Sequence, residues 1–152
     1  VELRGPAGNC FYIPGKPDQP LLLIGTGSGL APLYGIIRDA LQQGHTGPIR
    51  LFHGSRDASG LYLTGEIQEL MGKYPNFDYV PCISGSDVPL HHAAGRAHEV
   101  ALTKIPQLSG WRLFLCGHPA MVQEAQMRAF LAGVSLQDIY VDAFNVAASP
   151  SA

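Results

Sequence analysis

The chain has 152 residues, 46% of them apolar and 14% charged, with a formal net charge of −2. That length and composition fit one globular domain with a real core and exclude a disordered chain. The charge argues against a nucleic-acid surface, which needs an excess of Lys and Arg on one face, and no apolar run approaches the ~20 residues that span a bilayer.

Residues 1–20, VELRGPAGNCFYIPGKPDQP, are punctuated by Pro and Gly and show no long periodic segment. They read as a linker or as the tail of a preceding unit. Glu2 and Arg4 interrupt what would be the apolar core of a signal peptide. Leu21 to Ile24 is a continuous apolar run, as expected of a strand buried on both faces. From Pro32 the apolar residues Leu33, Ile36, Ile37, Ala40 and Leu41 mark one face of a helix that Gly44 ends. Residues 49–55 read as a second strand. Ile67, Leu70, Met71 and Tyr74 mark a second helix, with Thr64 as its cap. Residues 77–84 form a third strand, in which Pro81 predicts an edge or a bulge. Ala97, Val100 and Ala101 predict a short helix, and residues 111–117 a fourth strand. Pro119 opens a helix with Val122, Ala125 and Ala129 inward, stopped by Gly133, and residues 139–144 close as a fifth strand. Regular alternation of strand and helix predicts an α/β three-layer sandwich: an open parallel five-stranded sheet, Rossmann-like, with helices on both faces. Ligands bind such sheets at the carboxyl ends of the strands, where strand order reverses.

The first of those ends carries GTGSGLAP, residues 25–32. A loop from a buried strand into a helix start exposes free backbone N–H groups and the positive end of the helix dipole, which together attract an anion. Gly25, Gly27 and Gly29 keep side chains out of the way, and Pro32 suits a first helical turn. The loop lacks the Lys of a P-loop, and the third glycine of G-x-G-x-x-G would fall at Leu30. Taken alone, it is equally a ligand-free turn. LFLCGHPAMV, residues 113–122, repeats the design of buried strand, glycine and proline-led helix. Alone, Cys116 reads as a buried apolar residue. The three cysteines, Cys10, Cys82 and Cys116, are odd in number and far apart, with no Cys-x-x-Cys pair. A zinc site, an iron–sulfur cluster within this chain and a disulfide framework are therefore not expected, and the default setting is reducing and cytoplasmic. His91 and His92 are neighbours without a third ligand and read as loop residues, so no metal site is expected.

In this order the two motifs resemble the nicotinamide-nucleotide-binding domain of the ferredoxin–NADP reductase family, over nearly all of residues 20–145. GTGSGLAP resembles that family's pyrophosphate loop, and HGSRDASGLYL its segment after the second strand. CGHPAMV resembles its Cys-Gly-x-Pro loop near the nicotinamide. IYVDAF resembles its closing strand, with Asp142 where a Glu is usual, and RGPAGNCFY the end of its flavin-binding barrel. The resemblance implies residues 1–18 as a remnant of that barrel or a linker, 19–146 as an NAD(P)-binding domain and 147–152 as a disordered tail. It implies hydride transfer from NADH or NADPH to FAD, with FAD held mainly by a barrel absent from the chain. Electrons would pass on to an iron–sulfur protein, a haem protein or an oxygenase. Cys116 and Asp142 would stand at the catalytic end, Cys116 as a positioning residue. The cofactor would be bound by Gly25, Thr26, Gly27, Ser28, Gly29, Pro32, Ser55, Arg56, Gly117, His118, Pro119, Met121 and Phe144. Arg56 beside a ribose favours NADPH, its neighbour Asp57 favours NADH, and an exposed Arg–Asp pair without a ligand fits equally. Without its barrel the domain is expected to bind nucleotide weakly and catalyse little. A nucleotide sensor or non-catalytic electron-transfer subunit, and a thiol enzyme using Cys116, are the rival readings.

Overall fold

A computed structural model of the chain describes residues 10–143. Strand β1 (Leu21–Thr26) passes through a 3₁₀ turn at Gly27–Gly29 into helix α1 (Leu30–Gln42). Next come β2 (Ile49–Ser55), α2 (Thr64–Lys73), β3 (Phe77–Ile83), β4 (Ala93–Ala94), α3 (Ala97–Lys104), β5 (Arg112–Gly117), α4 (Pro119–Leu131) and β6 (Ile139–Ala143). All strand pairs are parallel, in the order β4-β3-β2-β1-β5-β6. From β1 the chain adds strands outward on one side and then returns to the other. The reversal of direction therefore lies between β1 and β5, where a crevice opens at the strands' carboxyl ends.

The apolar run of β1 is explained by two cores. Leu21 and Leu23 pack with Leu33, Ile37, Ile67 and Phe114 on the side of α1 and α2. Leu22 and Ile24 pack with Phe52, Leu115, Val122 and Ala125 on the side of α3 and α4. A fully buried Leu contributes roughly 1.5–3 kcal/mol relative to leaving it exposed, so the central strand is rigid and holds its carboxyl end in place. The segment ahead of β1 packs on the domain too. Tyr12 is buried, its hydroxyl is 3.1 Å from His45 Nδ1, and the Thr46 amide donates to the Pro17 carbonyl at 2.7 Å.

Several sequence expectations are corrected. Among the described residues the sheet has six strands rather than five; β4 is two residues long, too short to show a period. Helix α1 begins at Leu30, so Pro32 stands third in it, still within the first turn where its missing N–H is harmless. Thr64 is the first residue of α2 rather than its cap; the cap position is Leu63, in left-handed conformation at φ 58°. Pro81 does lie on an outer stretch, because β4 pairs only with Cys82 and Ile83. Phe144 and the tail at 147–152 lie outside the described residues. Among the described residues no helix is long and apolar enough to cross a membrane.

Candidate functional site

The two glycine loops touch. Gly25 pairs in register with Cys116 across β1 and β5. A Cβ on Gly29 would collide with the Cys116 carbonyl, and one on Gly117 would collide with the Thr26 hydroxyl. Gly117 also has φ +136°, a conformation L side chains rarely adopt. Across this contact the His118 amide donates to Thr26 Oγ1 at 3.1 Å. The two bends are thus packed backbone to backbone, with Gly27 and Ser28 exposed at the crest. The exposed crest and the turn packed against it form a backbone cradle of the kind a diphosphate needs.

Beside the cradle lies a cavity of about 530 Å³, walled by Thr26 and Gly27 at the end of β1, Ser55 and Arg56 at the end of β2, and His118 and Met121 where β5 passes into α4. Six of the residues expected from the sequence therefore share one space. Gly25, Gly29, Cys116 and Gly117 form the buried floor beneath the crest. Pro32 and Pro119 shape the starts of α1 and α4 without facing the cavity. His118 caps α4, its Nδ1 accepting from the Ala120 amide at 3.1 Å, while the residue stays exposed.

Asp57 is turned away from this space. Its carboxylate closes its own turn, accepting from the Ser59 hydroxyl at 2.5 Å and the Gly60 amide at 3.2 Å. Those bonds, with nearby Arg56, hold its carboxyl below the usual carboxylate range. Arg56 faces the cavity, and among the described residues no carboxylate lies within ion-pair distance of it.

Cys116 is fully buried, and burial, with Cys10 and Asp142 nearby, pushes its thiol up to about 12. Asp142 is its register partner on β6 and makes no hydrogen bond to the thiol. Cys10 and Cys82 are likewise pushed up to about 12 by burial. No thiol among them has the electropositive, exposed surroundings of a nucleophile.

Sequence reasoning missed the far wall. Gly95, Arg96, Ala97 and His98, at the start of α3, line the cavity, with Glu124 from α4 opposite. His98 is buried, its Nε2 3.3 Å from Glu124 Oε2 without hydrogen-bond alignment. The Gly-Arg before a helix start at 95–97 repeats the strand, glycine and helix pattern of the other two loops, and that was the available signal. Gly54 lets this wall come close: a Cβ there would lie 3.0 Å from Ala97 Cβ.

Two further buried histidines respond to pH. Burial lowers the pKa of both His45 and His53 below the ordinary 6.5. Above 6.5 both states of the chain hold these rings neutral. As pH falls below 6.5 the unfolded chain takes up protons first, so stability drops, and it stops dropping on this account below the folded-state values. The urea midpoint is therefore expected to fall between pH 7 and pH 5. Replacing His45 with Gln should flatten that slope.

Residues 23–127 match the family described as the oxidoreductase NAD-binding domain. The ferredoxin–NAD(P)⁺ reductase component of a naphthalene 1,2-dioxygenase system from Pseudomonas putida is 36% identical over 144 residues, covering 95% of this chain and 44% of that protein. The reductase subunit of an aromatic O-demethylase from Amycolatopsis is 40% identical over 134 residues, 86% of this chain and 39% of that one. The crystal structure of an Amycolatopsis cytochrome P450 reductase superposes with a TM-score of 0.81 at 34% identity, over 86% of this chain and 39% of that one. The chain spans less than half the length of these relatives. It belongs to the oxidoreductase NAD-binding domain family, as the nicotinamide-nucleotide domain of the ferredoxin–NADP reductase type.

Proposed function

We propose that the chain holds NADH or NADPH across its two glycine loops and presents the nicotinamide to FAD on a flavin-binding barrel. Electrons would then leave for an iron–sulfur protein, a haem protein or an oxygenase, in a reducing, cytoplasmic setting. The observation that carries this reading is the contact of Thr26 and Gly29, on either side of the Gly27–Ser28 crest, with the Cys116–His118 bend at the strand reversal, with the cavity beside it. The relatives named above, reductase components of oxygenase systems, support it. The dinucleotide supplies the hydride; the protein's part is orientation.

Each residue's share follows from its place. The exposed backbone of the crest would face the diphosphate. Thr26 ties the two bends together through the His118 amide. Arg56 and Arg96 make one end of the cavity cationic. Met121 and Ala97 give it an apolar wall. Cys116, neutral and covered, keeps the sheet's rim flat rather than attacking anything.

Because Asp57 is engaged by its own turn, Arg56 and Arg96 are the groups left to read the cofactor's anionic parts. Charge-assisted hydrogen bonds contribute about 1.5–3 kcal/mol. Arg56→Ala and Arg96→Ala are each expected to weaken ADP-ribose binding about tenfold, with the difference from wild type shrinking at high salt. Calorimetric titration checks this. Unchanged affinity in both variants would contradict the assignment of the cavity.

A further inference from the structure

The turn that offers the crest is itself held in place. The Gly27 carbonyl accepts from the Tyr62 hydroxyl at 3.0 Å and from His53 Nε2 at 3.3 Å, besides the Leu30 amide of its own 3₁₀ turn. His53 is fully buried in β2, and its ring meets the Tyr62 ring edge to face, centroids 5.7 Å apart. Among the described residues its Nδ1 has no partner. Nε2 is thus the protonated nitrogen of a neutral ring, since a carbonyl can only accept.

This arrangement decides which way one peptide faces. In a trans peptide the carbonyl and the following N–H point in opposite directions. With the Gly27 carbonyl drawn toward His53 and Tyr62, the Ser28 N–H faces away from them, and Ser28 is exposed. Gly27 sits at φ +53°, and glycine crosses between backbone wells at little cost. A flip of the Gly27–Ser28 peptide would turn a carbonyl oxygen outward, where it would repel an anion.

We infer that His53 and Tyr62 form a latch on the Gly27 carbonyl that keeps the Ser28 amide aimed at a bound diphosphate; this rests on the dinucleotide reading above. Both are positioning residues, acting through the turn without touching the ligand. The pair lies 26 and 35 positions from Gly27 in sequence, so the latch also couples β2 and the loop ahead of α2 to the rim of β1.

The test is titration of the chain with ADP-ribose and with adenosine, which lacks the diphosphate, with the Ser28 amide resonance followed in parallel. Tyr62→Phe removes one partly exposed hydroxyl and keeps the ring. His53→Leu removes the buried donor, and His53→Gln restores an N–H. Losing one net hydrogen bond on the turn should weaken ADP-ribose roughly threefold to tenfold in Tyr62→Phe and His53→Leu. Adenosine binding should be unchanged, His53→Gln should recover most of the affinity, and the Ser28 amide should shift in ligand-free Tyr62→Phe. Wild-type affinity for ADP-ribose in Tyr62→Phe, or an equal loss for adenosine, would overturn the latch and leave the dinucleotide reading standing. No saturable binding of ADP-ribose by the wild-type chain would overturn both.

Discussion

Replacing Gly117 with Ala is expected to lower stability by about 3 kcal/mol and dinucleotide affinity by at least tenfold. Two costs add. Forcing a side chain into a close-packed contact costs roughly 1–3 kcal/mol, and the new Cβ would be driven into Thr26, whose backbone amide lies 3.0 Å from it and cannot swing aside. A left-handed backbone costs an L residue roughly a further 1–2 kcal/mol, and Gly117 has φ +136°. The damage falls where the two bends meet, because Thr26 Oγ1 is the acceptor of the His118 amide. Gly35→Ala is the control. Gly35 lies inside α1 with open space where a Cβ would go, so the change should raise stability by roughly 0.5–1 kcal/mol. Urea midpoints of the two variants should move in opposite directions. A Gly117→Ala chain as stable as wild type would contradict the backbone-to-backbone contact.

Cys116 is expected to react with a thiol reagent at neutral pH on the order of a thousandfold more slowly than an exposed cysteine. A free thiol titrates near 8.5, whereas burial pushes Cys116 up to about 12. Each unit of that difference removes about nine-tenths of the remaining thiolate, the reactive form. Because the residue is fully covered, access slows it further. Mass spectrometry of timed alkylation measures the rate at each cysteine. Rapid labelling at Cys116 would revive a thiol enzyme as the reading of this strand tip.

The parts of the site that were legible in sequence are those written in consecutive residues. GTGSGLAP and CGHPAMV each follow an apolar run and carry glycine and a proline in the first helical turn, so both loops could be located and ordered before the fold was known. Their contact was an expectation about the sheet, and the register of Gly25 with Cys116 bears it out. The far wall was hidden because it is made by convergence. Arg96 and His98 come from α3 and Glu124 from α4, and no spacing in the chain relates them. His53 was hidden for another reason. In IRLFHGS it reads as one more strand residue, and its partner is a backbone carbonyl, which sequence does not display. Which of Arg56 and Asp57 faces the cavity depended on a local detail, the closure of the turn at Ala58–Gly60 by the Asp57 carboxylate. The two-residue β4 was beyond any periodicity argument, and with it the sixth strand.

Everything proposed for this chain depends on one ligand engaging both bends together. Amide chemical shifts followed during titration with ADP-ribose test this most directly. The account predicts that Gly27 and Ser28 on one loop, and Gly117 and His118 on the other, shift along a single binding curve with one dissociation constant. Saturable binding that moves only one of the two loops, or neither, would contradict it.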